Sequence, residues 1–213
     1  MGASAGGTWH RRHFIEFMLI QLTTFKARLE ISGSTYDDLL TRAIDAISAR
    51  FDRECNRTLA RTVGATQEFP STDGEVVARC YPVEAVSKFE LKTTEAEGWI
   101  EQPGVDYMLR NACVISLILP LSFVPEAVVR QLSRVTYTGG YVMPGTTPSA
   151  GQTALPADLE WAAVEQIAAW FQQRDKLGLL RYWPAGGTFL AFPQEPLLPQ
   201  VAAIIRRYRR WSI

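Results

Sequence analysis

The sequence predicts an α+β fold: two long helices of a small helical bundle, an inserted and mainly antiparallel β-region, and an extended C-terminal arm ending in a short helix. Three observations predict it. Apolar residues step by three and four through the stretch after Gly33 and again after Pro156. Short β-prone runs separated by turn residues fill positions 66–142. Four prolines and a glycine pair then crowd Tyr182 to Gln200, which excludes regular helix or a central strand over most of that stretch.

Positions 1–20 read as an N-terminal extension that opens with the small, flexible stretch Met1 to Gly7. The apolar run Phe14 to Ile20 is short, contains Glu16 and is followed by no small-residue cleavage site, so it does not read as a signal peptide. A helical part is expected over 21–65. Thr23 or Thr24 can cap a short helix to Glu30. Ser34 or Thr35 can cap a longer one, in which Tyr36, Leu40, Ala43, Ile44, Ile47, Phe51 and Cys55 share a face, reaching about Leu59. Asp37 and Asp38 suit the positive end of that helix dipole.

The β-rich insertion spans 66–142. Expected strands are Thr66 to Phe69, Glu75 to Tyr81, Val86 to Thr93, Trp99-Ile100, Tyr107 to Leu109, Val114 to Leu119 and Val128 to Thr138. The near-continuous apolar run Val114 to Leu119 predicts a buried strand. In the last strand Val135 and Tyr137 alternate with Arg134, Thr136 and Thr138, and Gly139-Gly140 ends it. Positions 143–180 hold a Pro/Gly/Ser/Thr linker and the second long helix. There Pro156 suits the first position, Leu159, Ala163, Ile167, Trp170 and Phe171 form a stripe, Arg174 and Lys176 lie in the last turn, and Gly178 stops it.

Positions 181–213 are the arm. Tyr182, Trp183, Phe189 and Phe192 make it too apolar for an idle linker. At its end Val201, Ile204, Ile205, Tyr208 and Trp211 follow helical spacing, and Arg206, Arg207, Arg209 and Arg210 fall on the remaining face. Such a two-faced helix has several destinations. Its apolar side can pack on the chain's own core, or enter a partner's groove carried there by the Pro-rich approach. A basic amphipathic helix can also lie on a membrane, and four arginines with Tyr208 and Trp211 can hold phosphates without reading base sequence. The docking reading expects a chain cut before Val201 to stay folded and lose its partner.

The 213 residues are 47 % hydrophobic and 21 % charged, with 22 basic and 22 acidic side chains. Zero net charge argues against a general nucleic-acid binder and leaves copies free to associate. No run approaches the ~20 apolar residues a membrane span needs. The three cysteines, Cys55, Cys80 and Cys113, read as reduced thiols. His10 and His13 are the only histidines, and neither an acid nor a thiol cluster stands beside them, so no metal site is expected. A histidine-based nucleophile is equally hard to assemble. The chain has no phosphate loop, and Asp37-Asp38 reads as a helix start. No enzymatic activity and no cofactor are expected.

The order of patterns resembles the head–tail connector, or adaptor, family of tailed bacteriophages. The likeness runs through Leu22-Thr-Thr-Phe-Lys-Ala-Arg-Leu29, Tyr36-Asp-Asp-Leu-Leu40 with the helix to Cys55-Asn-Arg57, Tyr81-Pro-Val-Glu-Ala-Val86, Val135-Thr-Tyr-Thr-Gly-Gly-Tyr141, Leu155-Pro-Ala-Asp-Leu159 and the arginine-rich end. It covers about Leu22 to Ile213. The resemblance implies a structural subunit of the virion neck, assembled in the host cytoplasm into a ring, commonly of twelve copies. It implies a portal protein bound by the C-terminal segment, a head-closure or tail-side neck protein on the other face, and genomic DNA passing through the lumen without sequence-specific recognition. It implies no membrane contact. The alternative from the residues alone is a ligand- or protein-binding module with a pocket in the β-region.

Overall fold

A computed structural model describes residues 18–118, 131–174, 181–182, 190–191 and 197–211. Helix α1 spans Leu22–Arg28 and α2 spans Asp37–Cys55. Gln21 and Tyr36 occupy the N-cap positions, and neither makes a side-chain capping hydrogen bond. Asp37 sits in the first turn of α2 as expected, and its carboxylate accepts from Lys26 Nζ at 2.6 Å, which ties α2 to α1. Helix α2 stops short of Leu59 because Asn56 turns left-handed, with φ 51°. The Asn56 and Arg57 amides then fold back onto the Arg53 and Asp52 carbonyls.

Eleven strands follow among the described residues: β1 (Thr62–Pro70), β2 (Glu75–Val77), β3 (Val83–Lys92), β4 (Ile100–Glu101), β5 (Asp106–Arg110), β6 (Val114–Ile118), β7 (Leu132–Gly139), β8 (Tyr141–Val142), β9 (Thr153–Ala154), β10 (Arg181–Tyr182) and β11 (Leu190–Ala191). One antiparallel sheet has the order β1-β7-β3-β4, and a second has the order β2-β6-β5. The predicted antiparallel character holds. So does the inward alternation of β7, whose Ser133, Val135, Tyr137 and Gly139 are buried. The apolar run of β6 is not buried on both faces: Ile115 is enclosed, whereas Ile118 is 46 % exposed, because β6 belongs to a three-stranded sheet with one open side.

The expected linker after Pro144 ends in structure, since β9 pairs in parallel with β8 and brings the chain to α3 (Ala157–Gln173). Pro156 stands one place before α3, as its cap. Lys176 and Gly178 lie outside the described residues, as do His10 and His13. Helix α4 (Pro199–Arg207) begins with proline in its first turn, where the missing N–H costs nothing.

The described residues form two apolar cores. The first gathers Phe25, Leu40, Ile44, Ile47, Phe51, Leu159, Ala163 and Ile167 from the helices, with Tyr141 and Met143. Leu19 and Ile20, which patterning leaves in the N-terminal extension, belong to it as well. The second gathers Phe69, Val76, Phe89, Leu91, Ile115, Val135 and Tyr137 between the sheets. They meet where 58–60 pairs with Cys80 and Tyr141. Gly139 and Gly140 lie in that junction.

Candidate docking surface

The C-terminal segment is seated on its own domain. Val201 is fully buried and Ile205 nearly so, within the helical core. Ile204 and Tyr208 pack at its margin. Helix α4 lies against both α2 and α3. Of the destinations open to its apolar side, the structure takes self-packing. Val201 and Ile205 therefore present no free surface to a partner in this conformation.

The helix ends at Arg207, and the residues after it leave the helical path. Arg210 donates its backbone N–H to the Cys55 carbonyl at 2.8 Å. Its guanidinium reaches the Val77 carbonyl through Nη2 at 2.8 Å. The expectation that all four arginines share the face opposite the apolar stripe thus fails for Arg210, because the helical register stops before it. Burial and the nearby Arg79 charge pull the Arg210 pKa down. Arg206, Arg207 and Arg209 do face solvent, with no hydrogen bond or ion pair from their side chains among the described residues. Trp211 is 86 % exposed, outside the apolar face that spacing gave it. Trp183, Phe189 and Phe192 lie outside the described residues, and only the backbone of Tyr182 is described.

Two further contacts, beside those of Arg210, hold this segment in place. Tyr208 Oη donates to Asp158 Oδ1 at 2.6 Å. Burial first, and then that bond, raise the tyrosine's pKa well above the phenol range. Tyr81 Oη donates to the Tyr208 carbonyl at 3.2 Å. One stretch of chain is therefore bonded to α2, to α3 and to the β-region together.

Arg57 lies beneath this stretch and is only 4 % exposed. Its guanidinium carbon sits 3.2 Å from the Tyr81 ring centroid and 5.1 Å from that of Tyr141. Nη2 donates to the Tyr81 carbonyl. Nε and Nη1 have no hydrogen-bond partner among the described residues, so the ring faces supply most of their electrostatic compensation. Nothing in the pattern Cys55-Asn-Arg57 marks this role, since the two aromatic partners come from positions 81 and 141.

Asp52 lies close by. Burial pushes its pKa up to about 6, against the opposing pull of the Leu59 N–H, which donates to Oδ1 at 2.9 Å, and of the Arg57 charge. The folded state therefore holds a proton that the unfolded chain has released, between about pH 4 and pH 6. Stability accordingly falls as pH rises through that window, by about 2 kcal/mol. Asp52→Asn keeps an acceptor for Leu59 and is expected to flatten this part of the pH–stability curve. Urea unfolding at pH 4 and pH 7 measures it, and an unchanged slope in the variant contradicts it.

Burial pushes the Cys55 thiol up to about 12, so it stays protonated and packs as an apolar group. All three cysteines are free thiols. Among the described residues no group of three or more His, Cys, Asp or Glu side chains could hold a metal ion. No described helix is long and apolar enough to cross a membrane.

Among the described residues of the β-region, a groove of about 890 Å³ lies between β1 and β2. Each of these strands ends its sheet, so each has an edge without a strand partner among the described residues. Gln67 bridges the groove at one end: its side-chain amide donates to the Val77 carbonyl at 2.9 Å and its oxygen accepts from the Arg79 N–H at 3.0 Å. The Arg79 side chain and Arg210 line the same end, and Asp73 and Glu75 line the other. Neither composition nor spacing marks Arg79, which reads as an ordinary solvated residue in a β-prone run.

No family model matches this chain, and no curated protein matches it. Among solved structures it is similar to a chain from the neck of an empty GTA particle computed with C6 symmetry. The TM-score is 0.53 and the identity 17 %, over 92 % of this chain and 91 % of that one, so the two share a fold nearly end to end.

Proposed function

We propose that this chain is a structural subunit of the neck of a tailed-phage-type particle, a head–tail adaptor and not an enzyme. The observation that carries the reading is the fold likeness to a neck component over 92 % of the chain. The order of sequence patterns that resembles the connector family points the same way. In this reading copies form a ring, twelve by the family's habit and compatible with sixfold symmetry, and DNA passes through the lumen. One face meets the portal protein and the other a head-closure or tail-side protein.

The portal-facing surface then consists of the exposed side chains at the end of α4 and just after it: Arg206, Arg207, Arg209 and Trp211. Three exposed cations beside an exposed indole suit an acidic partner surface rimmed by apolar residues. Reversing Arg206, Arg207 and Arg209 to glutamate is expected to weaken portal binding at least tenfold, with the melting temperature within a few degrees of wild type. Co-sedimentation with portal rings measures this, and undiminished binding removes the arginines from the interface.

Negative-stain micrographs of the protein alone and mixed with its portal test the whole reading. Rings stacked on portals are expected; dispersed monomers in both samples contradict it. The alternative, a β-region binding module, draws on the β1–β2 groove, whose volume lies in the range of small-molecule sites. It predicts a monomer, so solution mass separates the two.

A further inference from the structure

The residues after α4 are held differently from α4 itself. Val201 and Ile205 seat the helix by apolar burial. Beyond it the Tyr208 side chain is tied to Asp158 on α3. From the Tyr208 carbonyl onward, the described holds are hydrogen bonds. Tyr81 Oη donates to that carbonyl, the Arg210 N–H to the Cys55 carbonyl, and the Arg210 guanidinium to the Val77 carbonyl. Arg209 and Trp211 lie out in solvent. Hydrogen bonds near a surface exchange for bonds to water at small net cost, whereas exposing a core side chain does not. A chain end held in this way opens without disturbing the helix that carries it.

What lies beneath it favours opening. The holds bracket Arg57: the Cys55 carbonyl stands two residues before it, and the Tyr81 ring lies on its guanidinium. Arg57 is buried, and its Nε and Nη1 have no partner among the described residues. The Tyr81 and Tyr141 rings offset its charge but accept no full hydrogen bond. Asp52 lies within range of that charge, yet its Oδ1 is taken by the Leu59 N–H. A buried donor left unpaired costs free energy that water would return. Arg210 adds to the imbalance. Its guanidinium meets a neutral carbonyl, and Arg79 stands near it. Glu68, Asp73 and Glu75 line the same groove, but no ion pair joins them to either arginine among the described residues, and Glu75 is paired with Arg110. Closing the chain end over this place thus gathers cations that no carboxylate is bonded to.

We propose that Arg209 to Trp211 form a strap that opens and closes over Arg57 while α4 stays seated, pivoting at Tyr208, with the cations beneath biasing it toward the open form. Three extended residues reach about 10 Å, so opening carries Trp211 a distance of that order from the joint and lets water reach Arg57. Every contact in the device lies within one molecule, so the inference stands apart from the neck reading.

Amide hydrogen exchange, followed residue by residue by NMR on the full chain, tests it. The Arg210 N–H is expected to exchange at least tenfold faster than the Ile205 N–H. Arg57→Leu removes the buried cation and is expected to slow the Arg210 N–H at least tenfold, with Ile205 unchanged. A residue that merely braced the joint would give the opposite sign. Arg79→Gln, at an exposed side chain, removes the like charge beside Arg210 and is expected to slow the same amide at least threefold. It reads the bias even where Arg57→Leu does not fold. Tyr81→Phe drops one hold and is expected to speed that amide at least threefold. One common rate for Arg210 and Ile205 overturns the strap. An Arg210 amide that is no slower in Arg79→Gln, or in folded Arg57→Leu, overturns the cationic bias and the proposal with it.

Discussion

Removing residues 201–213 is expected to unfold the helical core rather than merely release a partner. The cut takes away Val201 and Ile205, which are 0 % and 3 % exposed in the core they share with α2 and α3. Each such side chain stabilises by about 1.5–3 kcal/mol when fully buried, and the cavity left behind adds to the loss. The hydrogen bonds from Tyr208 to Asp158 and from Arg210 to Val77 go too, each contributing about 1 kcal/mol or more. The total, about 6–8 kcal/mol, is of the order of a whole domain's stability. Urea unfolding followed by circular dichroism checks it. A truncated chain with a wild-type midpoint would show that α4 contributes little. The cut chain's loss of portal binding is therefore not evidence of docking, and the surface arginine substitutions are the informative variants.

The second large effect is expected at Gly140. Its φ is +106°, a conformation that residues with a side chain rarely adopt. A Cβ there would stand 2.5 Å from the Ala60 carbonyl oxygen and 2.8 Å from the Arg61 α-carbon. At Gly139 a Cβ would stand 2.8 Å from the Pro82 carbonyl oxygen. All of these obstacles are backbone, so no side-chain rotation relieves them. Gly140→Ala is expected to cost about 3 kcal/mol or more, from backbone strain and overpacking together. Thermal melting measures it, against Gly151→Ala as a control. Gly151 also has positive φ, but open space surrounds its Cβ position. Equal losses at the two sites would place the effect in conformation alone and remove the packing argument.

The helices and most strands were legible because their signal is local. The face of α2 through Leu40, Ile44, Ile47, Phe51 and Cys55 is buried as its spacing predicts, and β7 alternates as its residues do. Ends were less legible. Thr23, Ser34 and Thr35 are good caps by type, yet Gln21 and Tyr36 hold the positions, since tertiary contacts such as Lys26 with Asp37 fix where each helix begins. The docking surface was legible only in part. Periodicity identifies which residues of α4 share a face but not what that face meets, and the nearest apolar surface was the chain's own. Gly139-Gly140 reads from sequence as the end of a strand. Its larger role, letting one backbone cross another at the junction of two cores, depends on residues some 60 and 80 positions earlier in the chain.

The attachment of Arg210 has a mechanical consequence. A load applied at Trp211 reaches the molecule through a residue anchored to the Cys55 carbonyl on one side and the Val77 carbonyl on the other. Tension entering there is divided between the end of α2 and the edge of β2, and neither body carries it alone. A pull there thus loads the helical part and the β-region together, through one shared residue.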